Sequence, residues 1–125
     1  MTPEETVNEF IARVVAFDLD GACELVTDDV VYDNVPMGPV TGPDGIRAVL
    51  APFSEGLEES EWVVHRQVAV GNVVLNERTD RFRKGDTWLE LPVAGVFEVD
   101  DAGRITLWRD YFDAPTLMNQ IAALG

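Results

Sequence analysis

Histidine, cysteine and positive charge are all scarce in this 125-residue sequence. His65 is the only histidine and Cys23 is the only cysteine. A Ser-His-Asp or Cys-His device would therefore have to use His65, and no nucleophile elbow of the form G-x-S-x-G is present. An intramolecular disulfide and the usual histidine-rich or cysteine-rich zinc sites are excluded. We expect neither a metal nor a cofactor.

The sequence is strongly acidic: it has nine Lys and Arg residues and 23 Asp and Glu residues, which gives a formal net charge of −14. Nucleic acids and anionic membrane surfaces favour basic patches, so neither is an expected partner. No apolar run approaches the roughly 20 residues that cross a bilayer. The segment 2–5 is acidic where a secretory signal would be basic. These features predict a cytoplasmic protein.

The order of the predicted elements indicates an α+β fold in a single domain, residues 1–125. Thr2 is a predicted N-cap for the first helix, and Asp44 is the predicted cap of a third helix. Helix 19–25, strand 30–35, a Pro/Gly-rich loop 36–43, strands 73–82, 87–99 and 105–112 and helix 115–124 complete the prediction. Helices followed by long antiparallel strands predict a sheet that curls around the helices and leaves a concave face.

Four polar side chains lie in the middle of predicted half-buried strands: Asn76, Arg78, Asp80 and Asp110. A buried charge is unfavourable unless it is paired and hydrogen-bonded, so this set is either a structural ion network or a chemical site.

Side-chain alternation brings the charged groups together. A two-residue turn at 84–85 would place Asp80 opposite Leu89 and Arg78 opposite Leu91. The next connection keeps Asp110 on the same face. A tight turn at 71–72 would place His65 opposite Arg78, where a structural role is favoured over a catalytic one.

Two further groups favour a chemical site. Tyr32 and Asn34 alternate onto one face of the strand 30–35, where a hydroxyl and an amide could hold a water molecule. Arg109, Tyr111 and Asp113 fall on the face opposite Asp110, and we interpret them as sheet-surface or subunit-contact groups.

Segments 32–36 (YDNVP), 75–80 (LNERTD), 95–98 (GVFE) and 108–113 (WRDYFD) resemble the limonene-1,2-epoxide hydrolase family. The resemblance implies a curved mixed sheet with helices packed into its cone, related to nuclear transport factor 2, SnoaL-like proteins and ketosteroid isomerase. It also implies a homodimer whose substrates are a small lipophilic epoxide and water.

The resemblance further implies a role for each polar group. Asp110 would be the general base that takes a proton from water, and Tyr32 and Asn34 would hold that water. Asp80 would be the general acid that protonates the epoxide oxygen, and Arg78 would bridge the two carboxylates. An apolar wall would admit the substrate, and the candidates, which are otherwise core residues, are Phe53, Phe82, Leu91, Val93, Phe112 and Leu117.

Two other functions stay open at this point. An isomerase or cyclase of the same fold would use Asp110 as base, with Tyr32 or a protonated Asp80 stabilising an enolate. A non-catalytic carrier would bind a small molecule without needing two acids and an arginine. Arg78 discriminates against the isomerase, because that kind of oxyanion hole relies on a neutral acid in an apolar pocket.

Overall fold

Within residues 1–124, which the computed structural model describes, the chain has four helices and six strands. The elements in chain order are α1 (Pro3–Val15), α2 (Leu19–Cys23), β1 (Val26–Val35), β2 (Gly38–Thr41), α3 (Gly42–Ser54), β3 (Glu59–Val70), β4 (Val73–Lys84), β5 (Thr87–Val99), β6 (Ile105–Tyr111) and α4 (Ala114–Ala123). None of the helices in this range is long and apolar enough to cross a membrane.

The six strands form one mixed sheet in the order β2-β1-β6-β5-β4-β3. Strand β1 runs parallel to β6, and all other neighbours are antiparallel. The sheet curves around the helices, so the predicted α+β class with a curved mixed sheet is confirmed. The parallel pair matters for the site because it sets the Tyr32 strand beside the Asp110 strand.

The first helix begins as predicted. Thr2 and Glu5 form a capping box, and Pro3 occupies the first turn. Apolar side chains on one side of α1 are buried against the inner sheet face, where Phe10 packs edge-to-face on Trp108 with ring centroids 5.0 Å apart. These side chains belong to the main hydrophobic core.

The region 36–44 differs from the prediction in two ways. Residues Gly38–Thr41 are not loop but form β2, which pairs with β1 and satisfies backbone groups of that edge. Helix α3 starts at Gly42 after Thr41, so Asp44 is not its cap. Asp44 lies in the first turn, where its carboxylate accepts a hydrogen bond from Arg47 at 3.1 Å.

The turn between β4 and β5 is Gly85-Asp86 rather than the predicted Lys84-Gly85, since Lys84 pairs with Thr87. Gly85 has φ 60°, a left-handed conformation that favours glycine at this turn position. Asp80 therefore lies opposite Leu91 instead of Leu89. A shift of two residues preserves the alternation, so every side chain stays on its predicted face.

His65 does not lie opposite Arg78. The β3–β4 ladder shifts register between Val64 and Arg66, and Val64 is the partner of Arg78. The irregularity places His65 on the exposed side, with its Nε2 2.8 Å from Thr79 Oγ1. A catalytic role for His65 is inconsistent with this position.

Candidate active site

Arg78 is the centre of a buried ion network on the inner sheet face. Its side chain has no exposed area. It donates from Nε and Nη2 to the two carboxylate oxygens of Asp80, both at 2.9 Å, and from Nη1 and Nη2 to Asp110 at 3.2 and 3.0 Å. Nη1 also donates to Asn76 Oδ1 at 3.0 Å. One guanidinium thus holds two carboxylates in bidentate geometry.

Gly95 provides the space for this network. It is the β-ladder partner of both Asn76 and Asp110. A Cβ atom at this position would lie 2.4 Å from Arg78 Nη1 and 3.1 Å from Asp110 Oδ1. The absence of a side chain on β5 therefore allows Arg78 to reach across to β6.

Tyr32, Asn34 and Trp108 complete the polar cluster around Asp110. The parallel ladder pairs Asn34 with Asp110 and Tyr32 with Trp108. The Trp108 indole N–H donates to Asp110 Oδ1 at 3.0 Å, and the Tyr32 ring stacks on Trp108 with centroids 3.9 Å apart. Asn34 Nδ2 donates to the Tyr32 hydroxyl oxygen at 2.9 Å. The structure thus brings together the five residues to which the resemblance assigns a role: Tyr32, Asn34, Arg78, Asp80 and Asp110.

Burial and charge act differently on the titratable groups. Burial raises the pKa of Asp80 to about 6, although its hydrogen bonds and charge interaction with Arg78 oppose the rise. Burial, together with the neighbouring Asp110, raises the pKa of the Tyr32 hydroxyl, so it stays protonated. Burial alone would lower the pKa of Arg78, but the two carboxylates raise it above its ordinary value. Arg78 is therefore a permanent charge, and Asp80 can carry a proton near neutrality.

An apolar cavity with a volume of about 180 Å³ opens onto Asp80 and Asp110. Five of the six predicted wall residues line it: Phe53, Phe82, Leu91, Phe112 and Leu117. Val93 does not. It pairs with Arg78 and packs with Leu91 and Leu117 in a small buried cluster. Tyr32 and Asn34 also line this cavity.

Sequence reasoning missed part of the wall. Trp62 lines the cavity from β3, and the helices, the β1–β2 connection and the α3–β3 connection add Met37, Leu50, Leu57, Met118 and Ile121. Trp62 pairs with Asp80, but alternation counted from the turn at 71–72 would set Val63 there, because the irregularity between Val64 and Arg66 shifts the register. The helical residues depend on packing angles that strand alternation does not determine. Within residues 1–124 no group of three His, Cys, Asp or Glu side chains is arranged to hold a metal ion.

Arg109, Tyr111 and Asp113, which the sequence placed on the face opposite Asp110, lie away from the cavity. Arg109 donates to Asp33 at 2.9 Å, and Tyr111 is exposed. Asp113 has a different role, because it is the N-cap of α4 and accepts hydrogen bonds from the backbone N–H and the hydroxyl of Thr116. None of these three side chains lines the cavity above Asp110.

The fold is NTF2-like, and its inner sheet face carries a buried acid pair. A solved structure described as a SnoaL-like polyketide cyclase from Shewanella denitrificans OS-217 shares the fold, with a TM-score of 0.84 at 17% identity over 97% of each chain. A Mycobacterium tuberculosis LEH-like epoxide hydrolase superposes with a TM-score of 0.80 at 36% identity, covering 98% of this chain and 93% of the other.

The family model of the limonene-1,2-epoxide hydrolase catalytic domain matches residues 1–123. Epoxide hydrolase EphG of Mycobacterium tuberculosis is 45% identical over 108 residues, which are 86% of this chain and 70% of that protein. The chain therefore belongs to the limonene-1,2-epoxide hydrolase family.

Proposed function

We propose that the protein is an epoxide hydrolase that adds water to a lipophilic epoxide in one step, without a cofactor, to give a vicinal diol. The observation that carries this proposal is the pair of buried carboxylates on Arg78, next to the Tyr32–Asn34 hydrogen bond and at the end of an apolar cavity. Family membership supports the reaction class.

Asp80 is the proposed general acid. An epoxide is strained, but its alkoxide is a poor leaving group, so the oxygen must gain a proton as the C–O bond breaks. Burial of Asp80 raises its pKa to about 6, which lets a fraction of the enzyme hold that proton near neutrality.

Asp110 is the proposed general base. It accepts one proton from the attacking water while the water oxygen forms the new C–O bond, and Tyr32 and Asn34 orient that water. Arg78 donates hydrogen bonds to both carboxylates, so its positive charge lies between the proposed acid and the proposed base. The apolar wall excludes bulk water and strengthens these interactions.

An isomerase or cyclase of the same fold is less well supported. Its oxyanion hole would need a neutral acid in an apolar pocket, whereas Arg78 donates two hydrogen bonds to Asp80 and two to Asp110. The SnoaL-like neighbour is 17% identical and shares only the fold.

A single turnover in ¹⁸O-labelled water tests the one-step reaction. With enzyme in excess over limonene-1,2-epoxide, direct attack by water puts the label into the diol and leaves the peptides containing Asp80 and Asp110 unlabelled. An aspartate nucleophile would instead deliver enzyme oxygen to the first diol. Unlabelled diol would overturn the one-step mechanism, and no diol from a panel of terpene, steroid and fatty-acid epoxides would overturn the activity.

The proposal includes a cytoplasmic homodimer. The outer sheet face combines exposed Tyr111 with the ion pair of Arg109 and Asp33, a mixed polar and apolar surface that suits an interface between two copies. Sedimentation at micromolar concentration should give twice the 13.8 kDa chain mass. A monomer under these conditions would overturn the dimer, and recovery of the native protein outside the cytoplasm would overturn the location.

A further inference from the structure

Trp62 holds an unused hydrogen-bond donor. Within residues 1–124, its Nε1 is the one buried side-chain nitrogen or oxygen of a non-exposed residue that has no hydrogen-bond partner. Buried polar groups are nearly always paired, because desolvation without a partner is unfavourable. An indole N–H can only donate, so its missing partner must be an acceptor.

The position of Trp62 indicates where that acceptor belongs. Trp62 lines the apolar cavity, pairs with Asp80 across the β3–β4 ladder and stacks on Arg78, whose guanidinium carbon is 4.4 Å from the ring centroid. Opposed residues in an antiparallel ladder have Cβ atoms about 5 Å apart. The unused N–H therefore belongs to the side chain next to the proposed general acid.

Trp108 provides a contrast on the same wall. Its ring centroid lies 5.9 Å from that of Trp62, but its indole N–H already donates to Asp110. Each indole thus lies beside a different carboxylate: Trp108 beside Asp110, and Trp62 beside its ladder partner Asp80. Trp108 holds the proposed base, and Trp62 stands beside the proposed acid with its donor free.

We propose that the Trp62 indole N–H donates a hydrogen bond to the epoxide oxygen as the ring opens, so that this oxygen is held by Trp62 and Asp80 together. This inference rests on the proposed epoxide hydrolase activity. As the C–O bond breaks, its electron pair moves to the oxygen, which takes the proton of Asp80. Trp62 keeps its own proton and stabilises the negative charge that develops before that transfer is complete.

Paired Trp→Phe variants test the role of the N–H. Trp62→Phe keeps an aromatic ring over Arg78 but removes the donor. Trp88→Phe is the matched control, because Trp88 lies outside the cavity with the guanidinium carbon of Arg81 4.3 Å from its ring centroid. With limonene-1,2-epoxide as probe, we expect kcat of Trp62→Phe to fall about tenfold to a hundredfold with little change in KM, because the bond strengthens as charge develops. Trp88→Phe should match the wild type.

The same assay separates two kinds of failure. A wild-type enzyme that forms no diol would overturn the proposed activity and this inference with it. An active wild type whose kcat is retained in Trp62→Phe would overturn the inference alone.

Indole NMR provides a readout that does not depend on turnover. The protein has three tryptophans, and the variants assign the ¹⁵N–¹H signals of Trp62 and Trp88. Saturation with limonene-1,2-diol places a hydroxyl oxygen near the position of the former epoxide oxygen. We expect the Trp62 proton to shift downfield while the Trp88 proton stays in place. An unshifted Trp62 signal in the diol-saturated enzyme would overturn the proposal.

Discussion

The inner and outer faces of the sheet carry the same chemical motif in different surroundings. On the inner face Arg78 is held by two aspartates and stacks on Trp62. On the outer face Arg81 lies near Glu61 and Glu90 and stacks on Trp88. The two guanidinium carbons lie 4.4 and 4.3 Å from their ring centroids, so the cation–π distances are nearly equal.

Burial and carboxylate geometry distinguish the two motifs. The Arg78 side chain is fully buried, and its carboxylate contacts are bidentate. The Arg81 side chain is 27% exposed, and its glutamates, at 3.4 and 3.7 Å, are about half exposed. Water screens the outer pairs, whereas the inner charges must be neutralised by one another. An arginine, a tryptophan and two carboxylates therefore form solvated surface pairs on one face and a buried ion network, the proposed acid pair, on the other.

Loss of the arginine should give the largest difference between the faces. Arg78→Ala leaves two buried carboxylates without a counter-charge, and we expect the free energy of unfolding to fall by about 3–5 kcal/mol. Arg81→Ala removes only screened pairs and should lower it by about 0–1 kcal/mol. Urea denaturation at pH 7 measures both. Equal losses would show that burial does not distinguish the two motifs.

Loss of the carboxylates should separate the faces in activity. Asp80→Asn and Asp110→Asn remove the proposed acid and base, so diol formation should fall at least about a hundredfold while each protein stays folded. Glu61→Gln and Glu90→Gln remove the outer carboxylates and should leave kcat/KM within about twofold of wild type. Near-normal turnover in either aspartate variant would remove the role assigned to that residue.

The sequence is sufficient to predict that Arg78 and its two aspartates share the inner face, because alternation in strands depends on parity alone. Asp80 and Arg78 lie on the predicted face even though their partners are Leu91 and Val93, two residues from those expected. His65 was misplaced for the same reason, since one irregularity in β3 changes the parity. Side-chain alternation therefore predicts the correct sheet face up to an irregularity in a strand and the wrong face beyond it.

Cavity shape was less predictable, because it depends on packing between elements distant in the sequence. Val93 alternates with Leu91 on the inner face, yet only Leu91 reaches the cavity. The space beside Val93 is occupied by Arg78 and Leu117. Likewise, β2 lies in a Pro/Gly-rich stretch that is typical of loops. It is a strand because it pairs with β1, and local composition does not predict that contact.

The pH dependence of turnover should reflect the inner pair. The proposed acid works only when Asp80 carries its proton, and burial raises its pKa to about 6. As pH rises above about 6, the protonated fraction falls, so kcat/KM should decrease by about tenfold per pH unit. Catalysis by a protonated acid together with an ionised base should give a bell-shaped profile. A flat profile between pH 4 and 9 would contradict a shared proton.

The smallest expected effect concerns Tyr32 and Asn34, the proposed water-holding pair on β1, where the two faces alternate residue by residue. Tyr32→Phe and Asn34→Ala each remove one of the groups proposed to orient water, while Asp110 still accepts the proton. We expect kcat to fall by about tenfold in each, less than for loss of Asp110. Asp33→Asn lies between them on the outer face, paired with Arg109, and is the matched control with near-normal turnover. If Asp33→Asn reduced kcat as much as Asn34→Ala, the loss would reflect distortion of β1. If both inner variants kept full activity, the water would be held by Asp110 without them.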